Sequence, residues 1–277
     1  MGFGFETDID RYEFSELLSA VIAATGVDLS NYAKPSLLRR IVRFAEIKGI
    51  SEIAELIYRV RYESGFAALF INEITVSVTE MFRNPGFWVA LKEKVLPVLA
   101  EKRVISVWHA GCSMGEEAYS MAIMLEEAGL LEKSRIYATD INIQALETGR
   151  SGTYSLKNQE VNSTNYIQAG GRAALADNYR VSGNKVRFSE ALRSRIEFKR
   201  HDLSSENPFG IFDLVICRNV FIYFNLDLQE KVLDLFVQSM EKGSFLGVGS
   251  KESIRWCRGA RYFEITDLEE NLFQKKY

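Results

Sequence analysis

The sequence predicts an α/β protein in which helices cover a mostly parallel sheet, with an all-helical domain before it. Three observations predict this arrangement. Residues 1–72, the predicted first domain, show apolar residues at helical spacing. In the predicted second domain, 73–277, short apolar runs alternate with helical segments from Val104 onward, and residues 151–190 interrupt that alternation. Short apolar strands that alternate with helices are typical of a parallel sheet whose two faces are covered. The interrupting stretch is polar and rich in Gly, Ser and Asn, and we predict a small β-rich insertion there.

The amino-terminal helices follow from the 3.6-residue period. The first, over about 10–25, ends at Gly26 and places five apolar residues on one face: Phe14, Leu17, Leu18, Val21 and Ile22. A second helix begins at Pro35 and ends at Gly49, and a third opens at Ser51. The run FAALFINEIT predicts a further helix that leads into the second domain.

The strands of the second domain are predicted from its apolar runs, which are VISVWHA, RIYATD, RIEFKRHDL, FDLVICRNVFIYF, SFLGVGS and RYFEIT. Helices are predicted up to Gly129, after Asp140, and over about Gln229 to Met240. Within the insertion, YRV and KVRF flank SGN, which is the pattern of a β-hairpin.

Composition excludes several classes of function. The 277 residues contain 34 Lys and Arg against 37 Asp and Glu, a net charge of −3, which disfavours nonspecific nucleic-acid binding. Apolar runs are too short for membrane insertion, and the acidic start is unlike a secretory signal, so we expect a cytoplasmic protein. Three cysteines without CxxC spacing and two separated histidines predict no disulfide framework and no metal site.

The segment VWHAGCSMGEEAYS predicts a glycine-containing turn that binds a ligand. Gly111 and Gly115 follow a predicted strand and precede a predicted helix, and Asp140 ends the next strand 25 residues beyond Gly115. A carboxylate at that place commonly accepts hydrogen bonds from ribose hydroxyls, so a nucleoside-containing cofactor is indicated. The pattern does not separate a nicotinamide cofactor from S-adenosylmethionine, although the missing GxGxxG disfavours NAD.

The run FDLVICRNVFIYF delivers Arg218 and Asn219 at the end of an apolar strand, with Tyr223 following. A buried guanidinium is costly unless an anion meets it. Arg218 either recognises an anion in the site or is satisfied by a structural carboxylate such as Asp202 or Asp213.

Four motifs together resemble one family. TVSVTEMFRNPGFW, AGCSMGEEAYSMA, YATDI and FDLVICRNVFIYF are similar, in order and spacing, to those of the chemotaxis-receptor glutamate methyltransferases, the CheR family. The resemblance spans almost the whole chain. It implies a class I, Rossmann-like methyltransferase fold with an inserted β-subdomain, S-adenosylmethionine as methyl donor, S-adenosylhomocysteine as product, and receptor glutamate carboxylates as acceptors.

The resemblance also implies site residues. Arg218 and Tyr223 match the positions assigned to catalysis. The positions that match cofactor-binding residues are Ser77, Thr79, Arg83, Ala110, Gly111, Glu117, Asp140, Asp202, Leu203, Asn219 and Val220. Ser77 stands where the family usually has asparagine, which keeps a hydrogen-bonding group but shortens its reach.

The helix from Pro35 to Lys48 is rich in basic residues, and Arg40 and Arg43 share a face off the apolar stripe. Such a charge run is ordinarily a solvated face. The resemblance implies instead that it binds the glutamate-rich methylation helices of a chemoreceptor. Two alternatives to the enzyme stay open: a homologue that binds a receptor or the cofactor without turnover, and a small-molecule methyltransferase of the same fold.

Overall fold

The computed structural model describes residues 9–75 and 79–277. Contacts divide the described residues into two units, one within 1–76 and 222–229, the other within 77–221 and 230–277. None of the helices in the described part of the chain is long and apolar enough to cross a membrane.

The first unit is helical, and residues 9–75 hold α1 (Arg11–Thr25), α2 (Lys34–Lys48), α3 (Ile53–Tyr62) and α4 (Phe66–Ile74). Asp10 caps α1 by accepting a hydrogen bond from Glu13 N, and the Glu13 carboxylate accepts one from Asp10 N, a reciprocal capping box. Pro35 lies in the first turn of α2, where its missing N–H costs no hydrogen bond.

Residues 222–229 belong to this helical unit, whereas the sequence prediction placed them in the second domain. The Phe224 ring packs edge-on against Tyr32 with ring centres 5.3 Å apart. Ala33 N donates to Tyr223 O at 2.7 Å. These contacts join residues distant in sequence, so no local pattern marks them.

The second unit is built on a seven-stranded sheet in the order β6, β2, β1, β7, β8, β10, β9. The strands in it are β1 (Ile105–Ala110), β2 (Ser134–Asp140), β6 (Ile196–Arg200), β7 (Phe212–Cys217), β8 (Met240–Val248), β9 (Phe263–Asp267) and β10 (Leu272–Lys275). The pairs from β6 to β8 are parallel, and β10 runs antiparallel to both neighbours. The predicted α/β class is therefore confirmed, and β10 is a strand that the sequence did not predict.

The remaining α-helices in the described part of the chain are α5 (Pro85–Ala90), α6 (Leu96–Ala100), α7 (Glu116–Glu127), α8 (Ile143–Ser151), α9 (Gln159–Gln168), α10 (Glu190–Arg193) and α11 (Leu226–Gln238). The core between them and the sheet is apolar, and Trp88, Trp108 and Tyr119 are among its fully buried side chains. Parallel strands end together at one edge, and the loops there carry the residues described next.

The insertion holds a three-stranded antiparallel sheet of β3 (Thr153–Ser155), β5 (Lys185–Phe188) and β4 (Tyr179–Ser182). It also contains the ten-residue helix α9, which the prediction of a β-rich segment left out. The helix is mostly polar, and only Gln159, Asn162 and Tyr166 on it are buried, so its apolar period is too weak to read from the sequence.

Candidate functional site

The turn after β1 is shaped by a close approach of backbone to side chain. Gly111 has φ +72°, and a Cβ placed on it would lie 2.6 Å from Val220 Cγ2. Gly111 N and Cys112 N both donate to Thr139 O at 2.8 Å, which fixes the turn on the end of β2. Only glycine fits this conformation and this spacing. Two predicted cofactor positions, Gly111 and Val220, are thus in contact, and Ala110 is the buried last residue of β1.

Asp140 ends β2 beside that turn. Its Oδ2 accepts from Ser113 N at 2.8 Å and its Oδ1 from Asn142 N at 2.9 Å. Burial raises the pKa of this carboxyl, while the backbone hydrogen bonds oppose the rise. A carboxylate held by two backbone N–H groups has a fixed orientation and keeps free acceptor positions for a ligand.

Arg218 lies at the end of β7 and is buried, with its side chain 1% exposed. One terminal nitrogen donates to Glu117 Oε2 at 2.7 Å, and the other donates to Arg83 O at 3.0 Å and Asn84 Oδ1 at 2.9 Å. The carboxylate that satisfies Arg218 is Glu117, not Asp202 or Asp213, which corrects the structural alternative drawn from the sequence. This pair could not be predicted from the sequence, because its partners are 101 residues apart.

Glu117 lies between two cationic or donor groups. Besides the Arg218 contact, its Oε1 lies 3.2 Å from His109 Nδ1. Burial alone raises the pKa of Glu117, but the charge of Arg218 and the His109 hydrogen bond outweigh burial and lower it overall. Glu117 is therefore held as a carboxylate, and its side chain keeps 19% exposure.

Glu116, the neighbouring residue at the start of α7, is a buried acid that was not among the predicted site residues. It is buried, and Thr79 Oγ1 donates to its Oε2 at 2.9 Å. Burial raises the pKa of Glu116 to about 7. The sequence did contain a sign of this residue. Two glutamates follow Gly115, and acidic residues are favoured in the first turn of a helix.

Asp202 and Leu203 follow β6 and are both buried. Asp202 Oδ1 accepts from Ser204 N at 2.8 Å and Ser204 Oγ at 2.6 Å. Its Oδ2 is buried without a hydrogen-bond partner among the described residues. An orphaned buried carboxylate oxygen is costly, so this atom fits a ligand that supplies a donor.

Asn219 adopts φ +61°, a left-handed conformation that asparagine tolerates better than most residues. Its N–H donates to Glu252 Oε2 at 2.9 Å, and Gly249 N donates to the same oxygen at 2.5 Å. The buried Glu252 thereby joins the loops that follow β7 and β8. No sequence argument identified Glu252, because its two partners become neighbours only in the folded sheet.

Comparison with known proteins assigns the chain to a protein family. Residues 77–271 match the family described as "CheR methyltransferase, SAM binding domain", and residues 12–75 match "CheR methyltransferase, all-alpha domain". The chain belongs to the CheR methyltransferase family.

Relatives of this CheR chain match along most of its length. The chain is 38% identical to "Putative methyltransferase Cher3" of Pseudomonas putida, over 97% of each protein. It is 32% identical to a chemotaxis protein methyltransferase of Listeria monocytogenes, over 83% of this chain and 85% of that one. A chemotaxis protein methyltransferase of Borreliella burgdorferi is 31% identical over 97% and 98%.

S-adenosylmethionine is the cofactor of this CheR domain. The residues of the candidate site fit this cofactor in their charge and in their hydrogen-bonding groups. The cofactor carries a sulfonium and an ammonium, and Glu117 at the start of α7 and Asp140 at the end of β2 offer carboxylates to them. Among the described residues, no donor reaches the buried Asp202 Oδ2. The absence of a side chain at Gly111 lets Val220, another predicted cofactor position, pack directly against the turn.

Four predicted residues remain. Ser77 is outside the described residues. Tyr223, Arg40 and Arg43 all belong to the helical unit. There the Arg40 guanidinium lies over the Tyr223 ring, 4.3 Å from its centre, and donates to Ile74 O at 2.9 Å, whereas Arg43 is exposed.

Proposed function

We propose that this CheR chain transfers a methyl group from S-adenosylmethionine to glutamate side-chain carboxylates of a methyl-accepting chemotaxis receptor or a related signalling receptor. The observation that carries the proposal is the fixed carboxylate set around the Gly111 turn, where Arg218 and His109 hold Glu117 and two backbone N–H groups hold Asp140. The cofactor would be held by these residues and by Thr79, Arg83, Ala110, Asp202, Leu203, Asn219 and Val220.

The transfer needs no general base. A glutamate carboxylate has a pKa of about 4.3 and is already an anion at neutral pH. The bound cofactor supplies an electrophilic methyl group on sulfur. A glutamate carboxylate would be alkylated by that methyl group, with the neutral thioether S-adenosylhomocysteine as the leaving group, so the acceptor's negative charge and the sulfonium charge would both disappear. The protein's part is then to position the reactants and exclude water, which can supply about 7 to 11 kcal/mol.

Arg218 and Tyr223 remain proposed for catalysis. Both terminal nitrogens of Arg218 already bond within the protein, to Glu117, Asn84 and Arg83 O. We therefore propose that Arg218 acts chiefly by positioning Glu117. Tyr223 would restrict the approach of the acceptor by a hydrogen bond.

The test is transfer of labelled methyl groups to receptor-containing membranes. We expect a product that mild base releases as methanol, as a carboxyl methyl ester requires. An Asp140→Asn variant serves as the control for cofactor-dependent transfer. A label that survives base would indicate methylation on nitrogen and would exclude the glutamate assignment. Absence of any label on membranes, with labelling of small acids instead, would support the small-molecule alternative.

A further inference from the structure

The loop of residues 251–261, between β8 and β9, exposes an aromatic side chain among basic ones. Trp256 is 82% exposed, while the other two tryptophans, Trp88 and Trp108, are 1% and 0% exposed. Lys251, Arg255, Arg258 and Arg261 are all exposed as well. An exposed Trp beside Arg is the composition that dominates binding energy in protein interfaces.

The loop is anchored, so the exposure of Trp256 is imposed by the fold. Ile254 and Cys257, which flank the Arg255–Trp256 pair, are 2% and 5% exposed. Asn271 Nδ2 donates to Gly249 O at 3.0 Å and to Glu252 O at 3.2 Å. The chain thus turns Arg255 and Trp256 outward between two buried side chains.

The positive charge of this loop is only partly cancelled by neighbouring acids. The one acid within it, Glu252, is buried and accepts the N–H groups of Gly249 and Asn219. Arg258 pairs with Glu230 at 2.7 Å. Among the described residues, neither Lys251 nor Arg255 forms an ion pair. A positive surface therefore exists on a protein whose net charge is −3.

The position of the loop relates it to the acceptor. It leaves the carboxyl end of β8, and Glu252 ties it to Asn219 beyond the neighbouring parallel strand β7. Ligands of such sheets approach at this edge. We propose that loop 251–261 is a docking surface for an acidic segment of the protein substrate, next to the glutamate that is methylated. This inference rests on the proposed function for the identity of the substrate.

Tryptophan fluorescence tests the surface without any knowledge of the receptor. Because Trp256 alone of the three is exposed, acrylamide quenching reports on it, and Trp256→Phe should remove the quenchable emission. We expect poly-L-glutamate at low salt to reduce the quenching constant at least about twofold. Salt near 1 M, where the screening length is about 3 Å, should abolish that protection.

Matched variants decide whether the loop's own charges are responsible. Lys251→Glu with Arg255→Glu should abolish protection by poly-L-glutamate. Lys242→Glu, an exposed lysine near the amino end of β8, should leave protection intact. Unchanged protection in the double variant, or equal protection by poly-L-lysine, overturns the proposal. Equal protection by duplex DNA overturns the assignment to an acidic protein segment.

A methylation assay then separates this inference from the proposed function. Trp256→Ala should lower kcat/KM for receptor membranes at least about tenfold while S-adenosylhomocysteine affinity stays within about twofold. Ile211→Ala, which removes an apolar side chain 53% exposed just before β7, is the control. A wild-type rate in Trp256→Ala refutes the docking surface alone. If the wild-type protein methylates no receptor membrane, the proposed function fails, and the fluorescence result still decides the surface.

Discussion

Arg218 and Glu117 form a buried ion pair, with 2.7 Å between the guanidinium nitrogen and the carboxylate oxygen, and this pair joins the end of β7 to the start of α7. The guanidinium also lies over the Phe87 ring, 4.1 Å from its centre. Taking two charges out of water is costly, and the pair is tolerable because its partners satisfy most of its hydrogen bonds. The positive charge at the carboxyl edge is therefore already compensated by the protein.

Replacing Arg218 by Ala should lower the free energy of unfolding by about 3 to 5 kcal/mol, because Glu117 is left as a buried, uncompensated charge. Affinity for S-adenosylhomocysteine should fall too, since Glu117 loses its orientation. Urea unfolding and calorimetry measure the two effects. Arg258→Ala removes an exposed ion pair and should change neither quantity. An Arg218→Ala protein with wild-type stability would show that Glu117 does not depend on this pair.

The stability of the protein should depend on pH through Glu116. Its pKa is about 7 in the folded protein and near 4.5 when the chain is unfolded. Between these two pKa values the folded state binds more protons than the unfolded state, so the free energy of unfolding falls as pH rises. The total fall is about 3 kcal/mol and is complete above pH 7. Glu116→Gln should remove this fall between pH 5 and 8.5. Glu126→Gln, on the exposed face of the same helix, should keep it. Identical pH profiles for wild type and Glu116→Gln would contradict the burial argument.

Replacing Asp140 by Ala should weaken S-adenosylhomocysteine binding by about 1 to 3 kcal/mol, the scale of hydrogen bonds lost from a ligand. Calorimetry measures the affinity directly, and NAD serves as the ligand that should not bind. Glu269→Ala removes one exposed negative charge elsewhere and should leave affinity unchanged. Unaltered affinity in a folded Asp140→Ala protein would remove this residue from the cofactor site.

A methyl group on Gly111 should prevent cofactor binding and destabilise the turn. Gly111→Ala places Cβ 2.6 Å from Val220 Cγ2 at φ +72°, whereas Gly129→Ala meets nothing within 4 Å at φ +70°. The Gly129 variant should thus lose only the conformational term, about 1 to 2 kcal/mol, and Gly111→Ala should lose more. Adding Val220→Ala should recover the difference. Equal losses in the two single variants would mean that the contact with Val220 relaxes freely.

Arg40 and Arg43 should have different roles, Arg40 in stability and Arg43 in receptor binding. Arg40→Ala loses the contact with Tyr223 and the bond to Ile74 O, so the free energy of unfolding should fall by about 1 to 2 kcal/mol. Arg43→Glu should leave stability unchanged and reduce receptor methylation, with a weaker salt dependence. A wild-type methylation rate in Arg43→Glu would make the basic face of α2 a solvated surface.

The sequence by itself determined the fold class and the local elements. Helix starts such as Pro35, strand runs such as VISVWHA, and the glycine at 111 follow from backbone preference and apolar period, which act between residues close in sequence. The motif resemblance added the cofactor and the family, both of which the comparisons bear out.

Only the tertiary structure decided which groups satisfy one another. Arg218 could be predicted to need an anion, but its pairing with Glu117 rather than Asp202 or Asp213 depends on the fold bringing the start of α7 to the end of β7. Tertiary packing likewise decides three other features: the burial of Glu252, the exposure of Trp256 and the stacking of Arg40 on Tyr223. Burial and pairing are properties of neighbours in space, and residues distant in sequence acquire those neighbours only when the sheet and helices pack.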